Sequence, residues 1–300
     1  MALPRQKIAA RPESESELSE LSRKLIRAAD AVSVLPTPID RLFEVAKITN
    51  IEALPDEAFL RTLSEKARSS FVTAWQKLRG VADLRTKTVY IPPERNTGRK
   101  LFVKAHELGH QVIPWHKIDP AYLDDNETLG PHATGIFEHE ANFFGAETIF
   151  QGKNFRLLAR DYQPSVGTIF SLADRHGASK QATAWRYVEE QDEALALLQY
   201  YPGNAIDEAG NRVLYIWRSV GSPAFSAKFS AIDVPEVLRI GHPWLAAREK
   251  EQGVDGNDNF LVDGHPAVFQ WIAWWNSYTL FVLLRRKPML SVVGGILRRS

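Results

Sequence analysis

His106-Glu107-Leu108-Gly109-His110 is the stretch on which the reading of this chain turns. On a helix, the two histidines stand one turn apart on one face and can offer two imidazole nitrogens to a single metal ion. Glu107 follows the first of them, where a carboxylate can take a proton from water at that ion. The helix is legible around the histidines. Leu101, Ala105, Leu108 and Val112 recur at helical spacing, His106 and His110 fall nearly opposite that apolar stripe, and Pro114 closes the pattern after Ile113. The competing reading is a pair of unrelated histidines on a half-buried helix. With only 8 His in the chain, a chance match to this spacing is on the order of one in a hundred, which favours the metal.

Catalytic zinc usually keeps three protein ligands and one open position. The segment from Gly135 to Phe150 reads as a second helix and offers Glu138, His139, Glu140 and Glu147. Glu138 shares a face with Asn142, Gly145 and Ile149, whereas Glu140 and Glu147 fall on the other side and are expected in solvent. Small residues beside Glu138 allow close approach to the first helix. Asn142 is placed to accept the spare N–H of a metal-bound histidine. The expected set is therefore Zn²⁺ on His106, His110 and Glu138, with Glu107 as base and Asn142 behind a ligand. His116 is a rival, six residues after His110 as in the metzincin motif. That motif needs Gly where Ile113 stands, so His116 is expected as an exposed loop residue near the cleft.

These residues carry a resemblance. The segment from about Pro36 to Tyr187 resembles the ImmA/IrrE family of metallopeptidases. Arg99 to His110 is similar to the family's basic-aromatic lead-in to Ala-His-Glu-Leu-Gly-His. Glu138-His-Glu-Ala-Asn-Phe-Phe-Gly-Ala resembles its second signature, whose first Glu binds zinc. Gly177 to Arg186 resembles its helix-turn-helix-like element. Two departures stand out: Phe150-Gln151-Gly152 lies where the family usually has a Pro, and the stretch from Glu52 to Lys77 is longer than the typical connection. The resemblance implies a zinc endopeptidase that cuts a few protein targets, often a DNA-binding repressor or an antitoxin, in stress response or mobile-element control. It also implies a sensor-like domain of the GAF type towards the C-terminal end.

Composition sets outer limits. At 300 residues, 44% hydrophobic and 24% charged, the chain can bury a substantial core. Its 37 basic and 36 acidic residues give a net charge of +1, which argues against broad nucleic-acid binding. The absence of cysteine excludes thiolate zinc sites and disulfides and suits a reducing cytoplasm. Neither a signal peptide nor a membrane span is expected.

The expected fold class is α+β: a zincin-like metallopeptidase core, a helical helix-turn-helix-like element and a C-terminal α/β domain. The expected divisions are a disordered lead-in over 1–20, the peptidase domain over 21–152, the helical element over 153–197 and the last domain over 198–300, with Tyr200 to Asn204 marking a boundary. Helices are expected over Leu21 to Ala31, Ile39 to Ile48 and Asp56 to Leu78. Lys87 to Ile91 is either the strand that offers its edge to substrate or an internal strand with no substrate contact. Between Ser165 and Glu190, Arg175, Lys180 and Arg186 are matched by Asp174, Glu189 and Glu190, so docking or scaffolding is favoured over DNA reading. Further on, a strand is expected over Arg212 to Val220, a short helix over Val234 to Ile240 and a charged loop over Glu249 to Asn259. A hairpin is expected about Asn276-Ser277. Trp271, Trp274 and Trp275 are expected in the core rather than round a ligand. Tyr122, His132 and His139 are candidates for stabilising an oxyanion. The alternative function is a DNA- or protein-binding regulator whose zinc is structural.

Overall fold

The computed structural model describes residues 11–53, 60–61, 64–65, 68–69, 81–84, 86–94, 96–116, 131–206, 210, 212–250, 253–286, 292–293 and 296–297. Most of the expected Asp56 to Leu78 helices, Tyr122 and the His132 side chain lie outside the described residues. The fold is mixed α+β in two compact units, one of Ala9–Phe155 with Leu172–Ser179, the other chiefly of Arg156–Ser171 with Lys180–Ser300.

The first unit opens with α1 (Glu15–Ala28), in which Leu18, Ser22 and Ile26 recur every four residues and are buried. This corrects the disordered lead-in to residue 20. Glu15 and Glu17 suit the first turn of a helix, and the apolar stripe begins at Leu18. After α2 (Ile39–Ala46) come β1 (Thr49–Ile51), β2 (Val81–Asp83) and β3 (Thr88–Tyr90). β3 lies between the other two, parallel to β1 and antiparallel to β2, and all three of its residues are buried. Of the two readings of Lys87 to Ile91, the internal strand holds, and among the described residues β2 is an edge of the sheet. A short alternating run cannot reveal how many neighbours it will have.

The metal-type helix is α3 (Thr97–Val112). It starts four residues before its apolar periodicity, because the Asn96 side chain caps it by accepting from the Arg99 N–H at 2.9 Å. It stops at Pro114, where a 3₁₀ turn (Pro114–His116) begins. Gln111 donates to the Asp83 carbonyl at 2.8 Å, tying α3 to β2. α4 (Pro131–Phe150) packs on both α3 and α1. A Cβ at Gly145 would stand 3.2 Å from the His106 backbone nitrogen, and one at Gly109 3.1 Å from Phe144 Cδ1. Glycine at both positions is what lets the two helices approach so closely. At the end of α4, Gln151 is buried and donates to the carbonyls of Ala31 and Val34, each at 3.0 Å, while accepting from the Ser33 N–H at 2.8 Å. A proline there would lose these bonds, which accounts for the departure from the family pattern.

Helices α5 (Lys153–Asp161) and α6 (Val166–His176) contribute residues to both units; α7 (Lys180–Glu189) belongs to the second. The second unit is built on β4 (Leu195–Ile206), β5 (Arg212–Gly221), β6 (Val237–Leu238), β7 (Val254–Val262), β8 (His265–Trp275) and β9 (Leu280–Arg286). They form one antiparallel sheet in the order β6-β5-β4-β9-β8-β7. β4 runs straight through Tyr200 to Asn204, so neither that boundary nor the 197/198 division separates folding units. Ala196, Leu198 and Tyr200 face a core with Leu214, Trp244, Phe269 and Trp271, while Leu195, Leu197 and Gln199 are buried on the opposite face. α7 packs on β4 and β5. Trp271 and Trp274 are core residues, the latter stacked on Phe281 at 5.2 Å.

Two further expectations are corrected. Val234 to Ile240 holds the short strand β6, paired with Leu214 and Tyr215, rather than a helix; Pro235 removes a backbone donor and Gly241 turns the chain at φ +88°. The loop over Glu249 to Asn259 ends at Val254, where β7 begins, because polar residues alternate on a half-exposed edge strand.

Candidate metal centre

α3 and α4 bring together His106, His110 and Glu138. The Nε2 atoms of His106 and His110 lie 3.2 Å apart, with Glu138 Oε2 3.5 Å from the first and Oε1 3.4 Å from the second. Four ligands at 2.0–2.1 Å round a tetrahedral ion stand about 3.3 Å from one another. The three donor separations fit that edge, so the group could hold a metal. His106 Nδ1 is 3.0 Å from Asn142 Oδ1. An amide oxygen can only accept, so this contact puts the proton on Nδ1 and leaves Nε2 bare for an ion.

Glu107 is buried beside this group, next to β2. Burial pushes its carboxyl up to about 7, with Glu138 adding to the rise; the charge of His110 and the Ala82 N–H oppose it. A carboxyl poised near neutrality can accept a proton and return it.

His116 departs furthest from expectation. It is buried, its Nδ1 lies 3.1 Å from His110 Nδ1, and its Nε2 lies 2.9 Å from Glu140 Oε2. Both ring nitrogens are thus engaged away from the donor group, which removes the metzincin-like reading. Glu140, expected in solvent, is buried and also accepts from Trp115 Nε1 at 2.8 Å and from the Ser14 hydroxyl. Burial alone would raise the Glu140 carboxyl, and the donors Ser14, Trp115 and His116 outweigh it, leaving it below its ordinary value. Burial holds the His116 imidazole below its ordinary value, with Glu140 in partial opposition. Sequence reasoning missed this arm, although one signal was present. α4 carries apolar residues round its circumference, and Ile136, Phe137, Phe143 and Phe144 flank Glu140 on the helical wheel, so its side is not a polar one. His139 is half-buried and is not one of the three residues of the donor group.

No curated protein matches the sequence. A solved Mycobacterium tuberculosis transcriptional regulator is similar in fold, with a TM-score of 0.51 at 14% identity over 91% of this chain and 76% of that one. Residues 56–187 match the family model Peptidase M78, described as the IrrE N-terminal-like domain. Both helices that carry the donor group, α3 and α4, lie inside that match.

Proposed function

We propose that the chain is a zinc-dependent endopeptidase that cuts a specific protein target, a transcriptional repressor or an antitoxin. The observation that carries the reading is the triangle of His106, His110 and Glu138 donors with Glu107 buried on the same helix beside it. Metal binding alone needs no carboxylate there. Zinc, when bound, supplies Lewis-acid polarisation of the scissile carbonyl and acidifies water at the site. Glu107 takes the water proton on its carboxylate and passes it to the leaving amine. The Ala82 N–H holds Glu107 in place. β2, an edge of its sheet, supports substrate binding as an added strand, since α3 and Glu107 adjoin it.

The second unit is proposed as the GAF-type sensing or target-recognition part. The helical element supports docking or scaffolding more than DNA reading. Arg186 on α7 is buried in a pair with Glu190 at 2.9 Å. A helix that reads DNA keeps such cations exposed for phosphate. Among the described residues no helix is long and apolar enough to cross a membrane, which accords with the proposed cytoplasmic setting.

The test is a comparison of new N-termini in a bacterial proteome treated with zinc-loaded wild type or with Glu107→Gln. One or a few wild-type-specific cuts in exposed linkers of DNA-binding proteins or antitoxins would support the reading. Zinc bound at full occupancy with identical proteomes would favour a regulator with a structural ion. Indiscriminate cutting would remove the specific target.

A further inference from the structure

The chain that runs from His110 away from the donor triangle has only one consistent direction of hydrogen bonding. Glu140 receives three donors: the Trp115 indole at 2.8 Å, the His116 Nε2 at 2.9 Å and the Ser14 hydroxyl. A carboxylate so surrounded is an acceptor, so the proton between it and His116 sits on His116 Nε2. A neutral His116 then has a bare Nδ1. That atom faces His110 Nδ1 at 3.1 Å, and two ring nitrogens can bond only if one carries a proton. His110 must therefore be protonated on Nδ1 and bare on Nε2, the atom that faces His106 and Glu138. Were the proton order reversed, His110 Nε2 would carry hydrogen and could not ligate an ion.

The surroundings fix the arm mechanically as well. The His116 ring lies 4.5 Å from that of Phe137 on α4 and 5.1 Å from that of His110. Its side chain and that of Glu140 are almost wholly enclosed. Ser14, the residue before α1, closes the far side of the Glu140 carboxylate from 126 residues away in sequence.

We propose that His116 and Glu140, held by Trp115 and Ser14, are positioning residues that set the tautomer and ring orientation of His110 for metal binding. The proposal deepens the reading of His106, His110 and Glu138 as a zinc site and rests on it. His110 thereby gains what Asn142 gives His106, a partner on the nitrogen away from the ion. The His110 partner differs in being a buried relay anchored on a carboxylate.

The experiment uses the full chain and two readouts that do not depend on peptidase activity. The first is zinc affinity by competition with a chromophoric chelator, together with the visible spectrum of the Co²⁺-loaded protein. His116→Phe keeps the ring packing and all three ligands but removes the relay. Its zinc affinity should fall 10- to 100-fold and its Co²⁺ bands should shift. Glu140→Gln, whose amide oxygen still accepts from His116, should retain affinity within about threefold of wild type. Affinity and Co²⁺ spectrum unchanged in His116→Phe would overturn the proposal, as a merely structural role predicts lower thermal stability alone. The second readout needs no variant. Imidazole ¹⁵N spectra of metal-free wild type should show His110 protonated on Nδ1 and His116 on Nε2, and the reverse tautomers would overturn the proposal even if His116→Phe failed to fold. A wild-type chain that binds no zinc would refute both this and the zinc site. Zinc binding with the expected tautomers, but no cleavage of any protein, would refute the peptidase reading and leave the positioning role standing.

Discussion

In metal-free protein, Glu107→Gln should abolish a steep loss of stability between acid and neutral pH. Glu107 is buried, and its carboxyl is pushed up to about 7 from an ordinary 4.5. The folded chain therefore holds a proton that the unfolded chain releases near pH 4.5. Its stabilising contribution is complete below that pH and disappears as the pH rises through about 7. The gap between 4.5 and about 7, at about 1.4 kcal/mol per pH unit, corresponds to about 3 kcal/mol. The amide that replaces the carboxyl in the variant does not titrate, so the variant lacks this slope. Urea unfolding of both chains at several pH values from 4 to 8, with chelator present, isolates the effect, because every other titrating group is shared. Wild type should lose about 3 kcal/mol relative to the variant across that range. Saturating zinc should shrink the difference, since a nearby cation favours the ionised carboxylate. Parallel profiles in the metal-free proteins would refute the assignment of Glu107 as a buried carboxyl held near neutrality.

In zinc-loaded protein the same Glu107→Gln change should leave metal content intact and reduce cleavage by a factor of at least about 100, the scale of general base catalysis, as read by product formation. Glu138→Ala should lower zinc occupancy measured by metal analysis after dialysis; full occupancy would remove Glu138 from the ligand set. Gly145→Ala gains about 1 kcal/mol of helix propensity but presses its Cβ onto α3 backbone 3.2 Å away, an overpacking cost of about 1–3 kcal/mol. The net should be a loss of about 1 kcal/mol in thermal unfolding, with weaker zinc binding as α4 shifts from α3. Gln151→Ala strips hydrogen-bond partners from Ala31, Ser33 and Val34 and should cost about 2 kcal/mol in the same assay.

Much of the α3–α4 half of the site was legible because it rests on short-range geometry. A four-residue interval brings His106 and His110 to one face whatever the rest of the chain does, and the small residues near Glu138 announced a close helix contact. Element ends followed where a chemical signal marked them, as with Pro114 or the turn at Asn276-Ser277. What failed was information that no single segment carries. β3 reads as an edge or an internal strand alike and is central because β1 and β2 both find it. β4 contains Pro202 and Gly203, which read as punctuation, yet the strand continues past them with a register shift, paired there with β5 alone after β9 leaves it at Tyr200. Leu18 looked like part of a polar tail until α4 supplied the surface that buries α1.

The same limit explains why Glu140 was misread while Glu138, two residues earlier, was not. Two residues on a helix turn the side chain through about 200°, so carboxylates at 138 and 140 face opposite ways. A helical wheel treats the second direction as solvent. Here it is occupied by the turn after α3 and by the start of α1, and both carboxylates end on the same imidazole, Glu138 beside Nε2 of His110 and Glu140 on its Nδ1 side through His116. α4 thus grips His110 from two sides, and its placement along α3 controls ligand spacing and ring orientation together. A shift of α4 that relieved one contact would disturb the other. That coupling gives a physical reason for so many buried restraints to converge on α4: the glycine contact at Gly145, the Ser22–Thr148 hydroxyl pair at 2.9 Å and the Gln151 clamp at its end. Each holds α4 without touching the donor atoms themselves, and each bears on where Glu138 stands relative to α3.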